Sequence, residues 1–249
     1  MTRDAVLSVD SAGSLLAIGL EIGGVCRSRT WNSPHAHQEH LLTGIQALLA
    51  ESARSVGALA AISVVVGPGS FTGLRVGLSA AKALAWGLAI PLFGENRLDL
   101  MAGAWARGGR AAGETEWVLP SVDARRKSIF TALFRDGERK GDYLDLPHSE
   151  LPKLFQDPSR FLGHPVDRLR LLGDWPEPLR LGLPQSIDFD GSLPLDLSGE
   201  CCRLARLRLG RGEAGDDPRT LAPFYLRAPE PELKLAAAHA AKLPRVDEP

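Results

Sequence analysis

Apolar residues come in short runs separated by glycine and polar breaks. Ala5 to Val9 is one such run, ending at Asp10, and reads as a buried strand. Ser14 to Leu20 and Val25 to Trp31 read as two more strands. Gly23-Gly24 between them predicts a tight turn, because glycine accepts positive φ at little cost. Two hairpin-connected strands after a first one predict a mixed sheet. From Ala36 to Arg54 the spacing changes: Leu41, Ile45 and Leu48, with Leu42 and Leu49, mark one face of a helix. Leu59 to Val66 is uncharged and rich in β-branched residues, the pattern of a strand buried on both faces. Gly67-Pro68-Gly69-Ser70-Phe71-Thr72 breaks it, and a helix is predicted over 72–88. Pro91 to Phe93 reads as a short strand and Asn96 to Arg107 as another helix. With right-handed crossovers this alternation gives an α/β sheet flanked by helices.

Arg107 to Glu116 is dense in glycine and charge and marks a lobe boundary. Beyond it, Trp117 to Val122, Ser128 to Phe134 and Arg139 to Leu146 read as strands, and Ser149 to Phe155 as a short helix. Between Pro158 and Pro194 prolines are frequent and periodicity is poor. Leu197 to Leu209 regains helical spacing through Leu197, Cys201, Leu204 and Ala205. The division that follows is a first lobe over 1–110, a second, degenerate lobe over 111–228 whose last helix is free to return to the first, and a frayed tail over 229–249.

The chain has 249 residues, 44% hydrophobic and 24% charged, enough apolar content for a core. Net charge is -1, so no global positive field holds a nucleic acid; contact with RNA is expected to be local or carried by a partner. Cys26, Cys201 and Cys202 form no CxxC pair, which argues for a reducing compartment and against a disulfide framework or a structural zinc site. The N-terminus reaches Asp10 before a signal-like apolar region develops, and no apolar stretch is long enough to span a bilayer; a soluble cytoplasmic protein is expected.

The most informative segment runs from Gly67 through GPGSFTGLRVGLSAAKALA to Ala85. A buried strand ends, glycines turn the chain, and Ser70 or Thr72 can cap the helix that begins. A helix start of this kind binds anions, or it is simply structural; neither GxGxxG nor GxxxxGK[ST] is present. Gly73, Gly77, Ala81 and Ala85 recur every four residues and share one face. That smooth stripe serves either tight packing on the chain's own sheet or close approach of a partner helix. On the preceding helix His40, Gly44 and Ala47 share a face beside the apolar one, so a partner surface of His40, Gly44, Ala47, Gly73, Gly77, Ala81 and Ala85 is one reading. His35, His37 and His40 lack the HExxH pattern and read as solvated or interface histidines rather than a metal site. Asp123-Ala-Arg125-Arg126-Lys127 reads as a solvated turn or as a contact with RNA or another subunit. Arg203, Arg206, Arg208 and Arg211 suit the end of a helix.

The GPGSFTGLRVG…AKALA segment resembles the hallmark of the bacterial TsaB (YeaZ) family. VLSVDS at 6–11, HQEHLL at 37–42, IPLFG at 90–94, Asp123-Ala-Arg and the closing Pro223-Phe-Tyr-Leu-Arg227 resemble further family motifs in the same order. The resemblance covers about residues 4–136 and 220–227. It implies an acetate-kinase/Hsp70/actin-like fold with two related lobes. It also implies a non-catalytic scaffold or activator of the TsaD-containing complex that transfers threonylcarbamoyl to N6 of adenosine beside the anticodon in tRNA. Implied partners are TsaD, the ATPase TsaE, a second copy of the chain when alone, and tRNA through the complex. No catalytic residue, metal or cofactor of its own is implied, with ATP or ADP a ligand of the complex. In the catalytic relative two histidines after the corresponding strand hold a metal; Arg97 and Met101 stand there, and neither replaces a hard-metal imidazole ligand. Actin-like ATPases place an acid and a small turn where Asp10 and Ser11 stand, which with Gly67, Gly69 and Ser70 makes a weak nucleotide site. The rival readings are an autonomous actin-fold ATPase or kinase and, further off, a metallopeptidase-like protein.

Overall fold

A computed structural model describes residues 3–32, 36–108, 116–175, 183–190 and 196–227, together with Glu177. Most of the 107–116 breaker run and the whole 229–249 tail fall outside these residues. The first sheet contains β1 (Ala5–Asp10), β2 (Leu15–Ile22), β3 (Val25–Asn32), β4 (Leu59–Gly67) and β5 (Leu92–Asn96) in the order β3-β2-β1-β4-β5. The β1–β2 and β2–β3 pairs are antiparallel, with Leu7 opposite Leu20; β1–β4 and β4–β5 are parallel, with Leu7 beside Ile62. Gly23 and Gly24 turn the hairpin at φ 59° and 85°.

One face of this sheet carries Leu7, Ile18, Leu20, Ile62 and Val64. It is covered by Leu41, Ile45 and Leu48 of α1 (Ala36–Glu51) and by Leu78, Ala81 and Ala85 of α2 (Phe71–Leu88). Leu42, read from the sequence as part of the apolar face, instead points out and is 58% exposed.

The second sheet is built from β6 (Trp117–Asp123), β7 (Ser128–Thr131), β8 (Phe134–Arg135), β9 (Glu138–Arg139), β10 (Leu144–Pro147), β11 (Leu169–Gly173) and β12 (Ile187–Asp190). Its main path is β10-β7-β6-β11-β12, and β8 joins β6 to β9. The strand expected over 128–134 is two strands, and Asp136 and Gly137 turn the chain back at φ 55° and 82°. The proline-rich stretch holds β11, which lies between β6 and β12 in parallel register. Leu169 and Leu171 pack there with Leu119 and with Leu151 and Leu154 of α4 (Leu151–Gln156); α5 (Pro158–Leu162) follows α4 directly.

Leu98, Met101 and Trp105 of α3 (Arg97–Gly108) pack with Val118, Phe130 and Phe134 of the second sheet, so α3 joins the lobes. After that sheet the chain returns. Cys202 and Ala205 of α6 (Ser198–Gly210) pack on Val6, Ala61 and Phe93, the other face of the first sheet. Arg206 of α6 bonds Glu21, and Arg208 reaches Glu95 at 3.2 Å.

The small-residue stripe on α2 is interior, which corrects its reading as a partner surface. A Cβ on Gly73 would collide with the Ser11 carbonyl, and one on Gly77 with the Ser11 side chain. Ala81 and Ala85 are buried in the first-sheet core. Gly44 is likewise turned inward: a Cβ there would lie 2.8 Å from Ile18 Cδ1 and overlap the Trp31 ring. His40 stacks on Trp31 with ring centroids 5.4 Å apart, and Ala47 is half-buried. The glycines are needed because α2 and α1 lie closer to the sheet than any side chain at those positions allows.

Candidate functional site: the cleft between the lobes

β1 and β4 are parallel neighbours, so the segments leaving their C-terminal ends meet. Asp10-Ser-Ala-Gly-Ser14 follows β1, and Gly67-Pro-Gly-Ser70 follows β4 and leads into α2. The two turns are stitched together: the Ser70 N–H donates to the Ala12 carbonyl at 2.6 Å, and the Ser11 hydroxyl donates to the Gly73 carbonyl at 2.7 Å. Ser70 Oγ caps α2 by accepting from the Gly73 N–H at 3.3 Å. Gly69 and Ser70, with Ala12, Gly13 and Ser14, line the first-lobe side of a cleft of about 1370 Å³ whose far wall comes from the second lobe, and Asp10, Ser11 and Gly67 are buried beneath that floor.

Asp10 is buried, and Arg97 Nη1 donates to both of its carboxylate oxygens, at 2.9 and 2.8 Å. The Ala12 N–H donates to the same carboxylate at 2.9 Å. Asn96 Oδ1 accepts from the Leu98 N–H at 2.9 Å, which opens α3 and aims Arg97 back under the β1–β2 turn. An acid free to hold a magnesium ion or order a water needs open lone pairs; here a resident guanidinium takes them. Met101, four residues on, is in the core joining the lobes. The substitution at residue 97 was visible in the sequence, but its partner was not, because residues 10 and 97 meet only through the β1–β4–β5 pairing.

His37 is not the solvated or interface residue expected. It is 5% exposed, lines the cleft, and its Nε2 has no hydrogen-bond partner among the described residues. Burial pushes its imidazole below the ordinary value, against the bond it donates to the Ser14 backbone and the charge of Asp10. His37 and His40 diverge, one toward the cleft and the other onto Trp31; His35 lies outside the described residues. Among the described residues no three His, Cys, Asp or Glu side chains gather in a metal-binding group.

The far wall includes Asp123, Arg125, Arg126, His148 and Asp174. Arg125, Arg126 and Lys127 all adopt left-handed backbone, at φ 60°, 52° and 58°. Non-glycine residues in that region cost roughly 1–2 kcal/mol each. The turn is held by the Arg125 N–H donating to Asp123 at 2.8 Å and the His148 N–H donating to the Lys127 carbonyl at 2.8 Å. The reading of 123–127 as a plain solvated turn misses this strain, which has no signature in composition.

Residues 221–227 cross the mouth of the cleft as a strap. On the first lobe the Phe224 N–H donates to the Val66 carbonyl at 2.7 Å, and Arg75 Nε donates to the Tyr225 hydroxyl at 3.1 Å. Tyr225 also stacks on Phe71 at 5.2 Å. On the second lobe Arg227 makes a two-pronged bond to Asp145, 2.7 Å on each side, and Phe224 meets Tyr143 edge-on at 5.0 Å. The motif Pro223 to Arg227 was legible; that it fastens two lobes was not.

Two mixed sheets flanked by helices, sharing a cleft floored by the ends of β1 and β4, define an α/β protein of the actin-like class. The family model described as TsaD, tRNA N6-adenosine threonylcarbamoyltransferase, matches residues 24–162, more than half of the chain. The tRNA threonylcarbamoyladenosine biosynthesis protein TsaB of Escherichia coli is 31% identical over 134 residues, 53% of this chain and 56% of that protein. The chain thus matches a little over half the length of this curated relative. The crystal structure of YeaZ from Pseudomonas aeruginosa superposes with a TM-score of 0.70 at 26% identity, over 91% of this chain and all of the other. An Arthrobacter inorganic polyphosphate/ATP-glucomannokinase, at TM-score 0.52 and 16% identity over 82% of this chain and 99% of the other, shares the fold alone. The chain belongs to the TsaB/YeaZ family, within the wider family that the TsaD model describes.

Proposed function

We propose that this chain is a non-catalytic partner in a TsaD-containing complex that forms threonylcarbamoyladenosine in tRNA. The observation that carries this reading is the Arg97–Asp10 pair. The position where the catalytic relative holds a metal ligand is an arginine, and that arginine neutralises Asp10, the acid buried beneath the cleft floor. Threonylcarbamoyl transfer therefore belongs to the partner, and this chain supplies surface and shape. TsaE, tRNA held through the complex and a homodimer in the absence of TsaD belong to the same proposal, as does a cytoplasmic place of work. No helix of the described residues is long and apolar enough to cross a membrane.

The partner face proposed here lies on α1 and α2 but on their outward sides. Leu42 is 58% and Trp86 64% exposed. Large apolar side chains held out on two adjacent helices suit a partner, and aromatic residues are the usual anchors of such contacts. The test is co-purification with the TsaD of the same genome. Trp86→Ala and Leu42→Asp are expected to weaken that association tenfold or more while leaving the melting temperature unchanged. Full association by both well-folded variants would move the interface off these helices.

A further inference from the structure

Where α6 crosses the outer face of the first sheet, two cysteines distant in sequence come together. Cys26 Sγ on β3 and Cys202 Sγ on α6 lie 3.9 Å apart, and 176 residues separate them along the chain. We propose that Cys26 and Cys202 form a redox-active thiol pair, converted to a disulfide by a hydroperoxide, which ties the returning helix α6 to the β2–β3 hairpin.

The surroundings fit this chemistry. Cys26 is half-buried and reachable from solvent, whereas Cys202 is enclosed between α6 and β1. The room for the sulfurs is made by Gly19: a Cβ there would lie 3.2 Å from Cys26 Sγ and 2.6 Å from Ser198 Cβ. Cys202 Sγ lies 3.6 Å from the Val6 carbonyl and 3.9 Å from Cys26 Sγ, and its single S–H proton can serve only one of them at a time. When that proton turns toward Cys26 it favours the thiolate there, whose pKa is lowered, while the same contact and burial push the Cys202 thiol up. Cys26, half-buried and the more accessible of the two, is the nucleophile and the enclosed Cys202 the resolving thiol. Cys201, its neighbour in sequence, faces the core that joins the lobes and takes no part.

The steps balance. The Cys26 thiolate attacks a peroxide oxygen, the O–O bond breaks, and the departing hydroxide takes up a proton to leave as water, giving a sulfenic acid at Cys26. Cys202 sulfur then attacks the Cys26 sulfur. The S–S bond forms, the S–O bond breaks, and the Cys202 proton leaves with the hydroxyl as a second water. Two thiols are oxidised and one peroxide is reduced to two waters. The sulfurs close from 3.9 Å to a bond of about 2.05 Å, within reach of side-chain rotation and a small shift of the hairpin near its glycine turn.

The experiment treats the full chain with hydrogen peroxide and reads intact mass and a non-reducing peptide map. The expected result is a mass lower by two hydrogens and one cross-linked peptide pair containing Cys26 and Cys202. It is reversed by dithiothreitol, absent in Cys26→Ser and retained in Cys201→Ser. The oxidised form is expected to melt about 5–10 °C higher than the reduced one, because the bridge closes a long loop in the unfolded chain. Sulfinic or sulfonic acid at Cys26 with Cys202 still a thiol would overturn the proposal, as would a bridge to Cys201 or between two molecules.

Discussion

The buried Asp10–Arg97 pair is the residue on which the functional reading turns, and its energetics are open to test. Removing one partner of a buried ion pair strands the other charge, at a cost of about 3–5 kcal/mol. Arg97→Met is therefore expected to destabilise the protein by that amount in urea denaturation. The double variant Arg97→Met with Asp10→Leu should recover most of it, because no charge is then left unpaired. Glycines give a second residue-scale test. Gly77→Leu drives a side chain into Ser11 and should lower stability by about 3 kcal/mol or more. Gly87, exposed and helical in the same α2, has open space around it; Gly87→Ala should raise stability by roughly 0.5–1 kcal/mol. Thermal melts of the two variants should move in opposite directions. The stripe at 73–85 was legible as a stripe, but amino-acid spacing cannot say which body lies against it. The same smooth face serves a sheet or a partner, and only the sheet order settled it.

Among the elements, β2, both flanking helices and β4 were plain in the hydrophobic pattern, because each buries a face, whereas β3 buries no residue and was marked by the Gly23-Gly24 turn before it. β11 was not. Leu169-Arg-Leu-Leu-Gly173 is too short to show a period, and proline-rich sequence surrounds it, yet it lies between β6 and β12 because parallel neighbours on both sides complete its hydrogen bonds. The α6–β5 contact carries a pH dependence. Burial raises the Glu95 carboxyl to about 6, against the attraction of Arg208. Its folded value is above the ordinary 4.5, so the native state binds the proton more tightly than the unfolded chain. The associated stability is present below pH 4.5 and is lost as pH rises through 6, about 2 kcal/mol in all. Relative to Glu95→Gln, wild-type stability should fall by about 2 kcal/mol from well below pH 4.5 to well above pH 6, with most of the fall between those two values, in urea titrations at fixed ionic strength. A flat difference would place the carboxyl in a better-solvated setting.

At the scale of the whole molecule, the chain goes out to the second lobe and comes back twice: first as α6 beneath the first sheet, then as the strap of residues 221–227 across the cleft. Family motifs at both ends of the chain gave the fold class. They did not show that Tyr225 and Arg227 fasten opposite lobes, because that depends on contacts between residues 75 and 225 and between 145 and 227. Nor could local sequence foretell that the cleft acid is neutralised from inside. We propose that this chain enables threonylcarbamoyl transfer without performing it. The most direct measurement is formation of threonylcarbamoyladenosine in unmodified tRNA, with threonylcarbamoyl-adenylate supplied, by the TsaD and TsaE of the same genome with and without this chain. Modification is expected only when the chain is added to TsaD, and none from the chain alone. Transfer by the chain alone, or full activity without it, would overturn the proposal.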